Sequence, residues 1–152
     1  MAFSDILNAI ETHAQTAGNG LSNPIKDVKI GYPKASGSRC VRIFWGGETA
    51  PERMGDAPRV LNGELVADVI VVVAFWALSN LSEDMAEVVE LEARAFMAAF
   101  RTAVLGDSQL GGSSTDLAMH YGETEFPVLA GAQYRTLTIE IVTDFSEYTL
   151  AA

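Results

Sequence analysis

Residues 67–78 read ADVIVVVAFWAL, and this stretch decides the class of fold. From Val69 to Leu78 no side chain is polar, so the stretch lacks the alternation that marks a strand with one wet face. Its valines are β-branched and favour a strand, and the run is much shorter than the roughly 20 residues of a membrane-spanning helix. The stretch therefore predicts a strand with two dry faces, and the second face needs a cover.

The composition of the chain narrows the classes of protein it can belong to. Its 152 residues suit one domain with one core. The formal net charge of -10 argues against general binding to a nucleic-acid backbone, which needs a basic surface. A single cysteine, Cys40, excludes an intramolecular disulfide and fits a reducing compartment. Asp5 and Glu11 interrupt any apolar N-terminal run, so we expect a soluble protein without a targeting segment.

Periodic patterns on both sides of residues 67–78 predict an α+β domain that occupies residues 1–152. Helical spacing indicates one helix at about 4–16 and a second, acidic in its first half, at about 80–105. Residues 46–58 read as a long loop and 146–152 as a short tail. We expect a mostly antiparallel or mixed sheet of about five strands, with the two helices packed on one face. The predicted strands lie near 27–32, 39–45, 60–78, 115–126 and 133–145, and Asn62-Gly63 marks either a bend or a tight hairpin.

Two helices can cover one face of such a sheet but not easily both. We therefore expect the second face of residues 69–78 to meet another protein chain; a curled sheet or an overlying loop is the alternative. Phe75 and Trp76 are adjacent and point to opposite faces of their strand. One of them belongs to the core, and the other is expected to anchor an interface, as buried aromatic residues commonly do.

The segment from Trp45 to Arg59 is the second candidate for a contact between subunits. It combines an aromatic residue with charges of both signs, which could form ion pairs between subunits. The alternative is a mobile, solvated loop in the isolated subunit. The full set of expected interface residues is Trp45, Glu48, Glu52, Arg53, Arg59, Phe75 and Trp76.

The sequence contains no pattern that indicates catalysis, a metal or a cofactor. His13 and His120 have no partner at the spacing of metal ligands, and Cys40 lies in a predicted strand without an activating motif. A nucleophile elbow and a phosphate-binding glycine loop are also absent. We therefore expect no catalytic, metal-binding or cofactor-binding residue and no enzymatic activity.

Four segments resemble the tail terminator (tail completion) proteins of long-tailed bacteriophages and related gene transfer agents. The first is a short amphipathic opening helix, and the second is a long loop that leads into the apolar strand. The third is the acidic start of the second helix, and the fourth is a turn with proline and glycine before an alternating strand. The segments read FSDILNAIETHA, NGELVADVIVVVAFWAL, LSEDMAEVVELEARAFMAAFRTAV and TEFPVLAGAQYRTLTIEIVTDFSEY.

This resemblance implies an α+β subunit of a homo-hexameric ring in the virion, at the head-proximal end of the tail. Such a ring caps the tail tube, ends its polymerisation and meets the head connector, while DNA passes through the central hole without specific binding. It implies synthesis in the cytoplasm of the bacterial host and no contact with a membrane. The nearer alternatives are another head–tail joining protein, such as a neck or head-completion component, or a tail tube subunit. A small ligand-binding or enzymatic α+β domain is a more distant alternative.

Overall fold

The computed structural model describes residues 3–31, 38–49, 59–61, 64–78, 83–107, 114–129 and 131–145. These residues form two helices and seven strands, which confirms the predicted α+β fold. The helices are α1 (Phe3–Asn19) and α2 (Glu83–Leu105). The strands are β1 (Val28–Ile30), β2 (Arg39–Thr49), β3 (Arg59–Leu61), β4 (Glu64–Ala77), β5 (Ser114–Tyr121), β6 (Val128–Leu129) and β7 (Ala132–Phe145).

The strands form one mixed sheet whose main path has the order β1-β2-β4-β7-β5. Among the described pairs only β1 and β2 run parallel; the pairs β2-β4, β4-β7 and β7-β5 are antiparallel. The short strands β3 and β6 pair with β4 and β7. The apolar strand β4 therefore lies at the centre of the main path. Both of its edges are paired, by β2 and by β7.

The Asn62-Gly63 dipeptide separates two strands that pair with each other. Leu61 is the register partner of Glu64, and Arg59 is the partner of Val66. The chain thus adopts the tight hairpin rather than the bend, the two readings that the Asn-Gly signal left open.

Both helices contribute to the core on one face of the sheet. Ile6 and Ile10 of α1 and Phe96 and Phe100 of α2 are fully buried, and they belong to one cluster with the strand residues. The rings of Phe96 and Phe100 stack with centroids 6.1 Å apart. The buried strand residues of this cluster are Val28, Val41, Ile43, Ile70, Val72, Ala74, Trp76, Ile139 and Ile141. This arrangement confirms that the two helices pack on one face.

The second face of the sheet carries two smaller apolar clusters. One contains Cys40, Val73, Phe75 and Tyr134, with the rings of Phe75 and Tyr134 in edge contact at 6.0 Å. The other contains Ala67, Val69 and Val142. Much of the second face of β4 is therefore covered within the chain, which corrects the expectation that this face as a whole waits for another protein. Only the rest of the second face is left for contact with another chain.

The predicted boundary between β2 and the long loop differs from that of the structure. Residues 46–49 were expected to begin a long loop, but β2 continues to Thr49 because Gly47, Glu48 and Thr49 pair with residues 67–69 of β4. The register shifts between Trp45 and Gly47, and Gly47 has a φ of 101° there, which glycine adopts without strain. The rest of the predicted loop, 50–58, lies outside the described residues, as does the tail at 146–152.

Candidate subunit interface

Trp45 is the predicted interface residue that the structure leaves accessible. Its side chain is 53% exposed, which is unusual for so large an aromatic residue. The indole Nε1 donates a hydrogen bond to Oδ1 of Asp68, 3.2 Å away. Asp68 is buried and lies on β4, so its hydrogen bond holds the Trp45 ring in one orientation.

Phe75 and Trp76 are both buried within the single chain. Phe75 is 6% exposed on the second face, and Trp76 is 1% exposed on the helix-covered face. The expectation that one of the two lacks a cover is therefore wrong for the isolated chain. Tyr134 lies against Phe75, and the core cluster of the two helices surrounds Trp76. Neither aromatic ring is available as an exposed anchor.

The four charged residues expected at the interface fall in or beside the undescribed part of the chain. Glu48 is in β2 opposite Asp68, and Arg59 is in β3 opposite Val66. The side chains of these two residues are outside the described set, and Glu52 and Arg53 are outside it altogether. The predicted ion pairs of this segment stay predictions.

A groove on the second face, which the sequence did not reveal, is lined by residues of β2, β4, β6 and β7 and of the segment before β6. The groove has a volume of about 290 Å³. Its apolar floor comes from β2 and β4, and its wall comes from residues 125–129. The lining residues are Phe44, Val73, Phe75, Glu125, Pro127, Leu129, Thr136 and Thr138.

Hydrogen bonds to β7 hold the wall of this groove in place. The backbone N–H of Thr136 donates to the carbonyl of Glu125 at 3.0 Å, and that of Tyr134 donates to the carbonyl of Pro127 at 2.9 Å. The Thr136 hydroxyl accepts a hydrogen bond from the Glu125 N–H at 3.1 Å and donates to the Glu125 carbonyl at 3.2 Å. Because its wall is bonded to a central strand, the groove is preformed in the single chain.

Two arginines flank Trp76 on neighbouring strands and connect the sheet to α2. Arg39 and Arg135 are the register partners of Trp76 on β2 and β7. Arg39 pairs with Glu92 of α2, and Arg135 pairs with Glu90 through Nε at 2.6 Å. The Arg135 guanidinium also lies 6.0 Å from the centroid of the Trp76 ring. These contacts hold α2 at one end of the sheet. No local pattern in the sequence predicts them, because the partners are far apart in the chain.

The histidines and the cysteine have structural surroundings. His13 Nε2 lies 2.9 Å from Oδ2 of Asp107, which joins α1 to the residues that follow α2. His120 is partly buried in β5, and Cys40 is buried in β2. Within the described ranges no group of three or more His, Cys, Asp and Glu residues is placed to hold a metal ion.

Other exposed apolar side chains lie at the outer edge of the sheet and on α2. Tyr121, Phe126 and Val128 are 45%, 54% and 66% exposed along β5 and the segment that follows it. Val88 and Leu91 on α2 are 48% and 62% exposed.

No helix in the described part of the chain is long and apolar enough to cross a membrane.

Comparisons with known proteins add no relative to these observations. No protein family model matches the chain, and no curated protein matches it. The site is therefore defined by its geometry alone: an exposed tryptophan at an open edge of the sheet and a preformed apolar groove on the second face, lined by β2, β4, β7 and residues 125–129.

Proposed function

We propose that the chain is a structural virion protein of the tail terminator type, which forms a ring, with six copies as the expected number. One observation carries the proposal. The two sides of the sheet offer unlike surfaces: an exposed tryptophan, Trp45, on β2 and an apolar groove bounded by residues 125–129. A ring needs two different patches on each subunit, because each copy meets its two neighbours through different surfaces.

The open edges of the sheet are consistent with this role. β1 pairs with β2 only as far as Ile43, so no described strand covers the outer side of residues 44–49. At the other end, β5 has no described neighbour beyond β7. Open edges and exposed apolar residues are sites where another chain can bind.

The acidic charge suits a ring through which DNA moves. Each copy carries a formal charge of -10, and exposed acids such as Glu87 and Glu90 lie along α2. A negative surface repels phosphates, so DNA would pass without binding. In this proposal one face of the ring meets the tail tube and the other meets the head connector, at the head-proximal end of the tail.

Electron microscopy of the purified protein tests the proposal against its nearer alternatives. A tail terminator gives closed rings of one diameter at every concentration. A tail tube subunit gives tubes whose length grows with concentration, and that result would contradict the terminator role. Particles that never exceed one chain would contradict both ring and tube. A thermal shift produced by a metabolite in that monomer would instead favour a ligand-binding domain.

A further inference from the structure

We infer that Trp45 of one copy inserts into the second-face groove of the next copy. This contact rests on the proposed ring, and it specifies which two surfaces meet. It also assigns a cover to the part of the second face that the single chain leaves open.

Trp45 has the properties of an interface anchor before any partner binds. Half of its side chain is exposed, and the hydrogen bond of its Nε1 to Asp68 fixes the ring. An anchor that is already held in one orientation loses little conformational entropy on binding. Tryptophan is also among the residues most often found to dominate the energy of protein interfaces.

The groove matches a single large side chain better than a small-molecule ligand. Its volume of about 290 Å³ is at the lower limit of ligand pockets, which span roughly 300–1,000 Å³. Val73 and Phe75 form an apolar floor, and Pro127 and Leu129 belong to its wall. The exposed carboxylate of Glu125 lies among the lining residues, where a basic group of the neighbour could meet it.

Trp45 cannot fill the groove of its own chain. Phe44 and Trp45 are consecutive residues of β2, so their side chains point to opposite faces of the sheet. Phe44 lines the groove, whereas Trp45 is the register partner of Ile70, which belongs to the core on the helix-covered face. A second copy is therefore required, and the contact joins two different patches, as in a closed ring.

Two substitutions on opposite sides of this contact test it. Trp45→Ala removes the anchor and leaves the groove. Thr138→Arg places a long charged side chain in the groove and leaves the anchor. We expect each variant to be monomeric where the native chain assembles, with the apparent dissociation constant raised at least about thirty-fold. An equimolar mixture of the two should form heterodimers and nothing larger, because only one working contact can form between them. Sedimentation velocity over a concentration series measures these masses.

Circular dichroism melts separate loss of folding from loss of contact, and Leu129→Glu is a second groove variant in case Thr138→Arg unfolds. Leu91→Ser is the matched control: it removes a more exposed apolar residue on α2, outside the contact, and assembly should persist. Native rings that survive both Trp45→Ala and the folded groove variants would contradict this contact and leave the ring itself intact. A mixture that stays monomeric would also contradict the contact. A native chain that never assembles would contradict the ring as well.

Discussion

Trp76 shows how a buried aromatic residue can be large and still only partly satisfied. Its side chain is 1% exposed, and its Nε1 has no hydrogen-bond acceptor among the described residues. An unpaired buried donor costs about 1–3 kcal/mol. The packing of Trp76 in the core stabilises the fold, and the unpaired Nε1–H offsets part of that stabilisation.

Trp76→Phe should cost much less stability than its burial suggests. The change removes the unpaired N–H and keeps an aromatic ring in the core, so we expect a loss of at most about 1.5 kcal/mol. Trp76→Ala should cost about 3–5 kcal/mol because it leaves a large cavity. Urea denaturation of both variants measures the two losses. Equal losses would mean that the indole N–H has an acceptor after all.

Arg42 is a buried cation that is neutralised by its ion pair with Asp27. Its Nη1 and Nη2 donate to the two carboxylate oxygens at 3.0 and 2.9 Å, and the residue is 5% exposed. The hydrogen bond to Asp27 raises the pKa of Arg42, although burial opposes that shift. Because the pKa of Arg42 is raised in the folded chain, its pairing with Asp27 stabilises the fold at every pH below the normal arginine pKa. That stabilisation is lost only when the pH rises above this value. The pair is therefore insensitive to pH on the arginine side under ordinary conditions.

Breaking this pair from its two sides should have unequal effects. Asp27→Ala removes the carboxylate that pairs with the buried Arg42 guanidinium and should cost about 3 kcal/mol, because the positive charge stays buried without its counter-charge. Arg42→Met removes the charge and keeps apolar volume. Because the Asp27 side chain is 28% exposed, its carboxylate can then be hydrated, so this loss should be smaller. Denaturation curves at neutral pH compare the two, and a larger loss for Arg42→Met would refute this account of the pair.

At the residue scale, the sequence predicted which face of the sheet a side chain lies on better than it predicted whether that side chain is exposed. It predicted that Phe75 and Trp76 point to opposite faces, and the structure confirms this. It could not show that Tyr134, some 60 residues away in the chain, covers Phe75. It also missed the pairs of Arg39 and Arg135 with α2, because contacts between distant residues leave no local pattern.

At the scale of elements, period and turn signals predicted both helices and the strands of the main path. The boundaries failed where pairing outweighed local composition: the glycines at 46–47 read as a loop, yet β4 holds them in β2. The strand β6 was missed because Pro127 and Gly131 flank only two residues. Ile30 lies on the same side of β1 as the buried Val28 but is 37% exposed, because β1 is a three-residue strand at the end of the sheet.

The register shift at Gly47 in β2 lies next to Trp45, the residue of the proposed interface. Gly47→Ala introduces a side chain at a φ of 101°, which should cost about 1–2 kcal/mol and disturb the strand beside Trp45. We expect a lower melting temperature together with weaker assembly. Gly106→Ala is the control: its added Cβ would make ordinary contacts at 3.5 Å, so stability should change little. Equal effects of the two substitutions would remove the special role of Gly47.

At the scale of the whole molecule, charge opposes assembly. Each chain carries a formal charge of -10, so copies brought into one ring repel one another. Salt shortens the range of that repulsion from about 10 Å at 0.1 M to about 3 Å at 1 M. We therefore expect the assembled fraction to rise as salt is added, measured by sedimentation. A fall with salt would mean that ion pairs between subunits outweigh the repulsion.

The mass of the native protein in solution, measured by light scattering at low and high salt, tests the ring most directly. We expect one closed species near six times the chain mass of 16.3 kDa, which is favoured at high salt and does not grow further with concentration. A protein that remains at 16.3 kDa across the whole range would contradict the ring, and so would an assembly whose mass keeps rising.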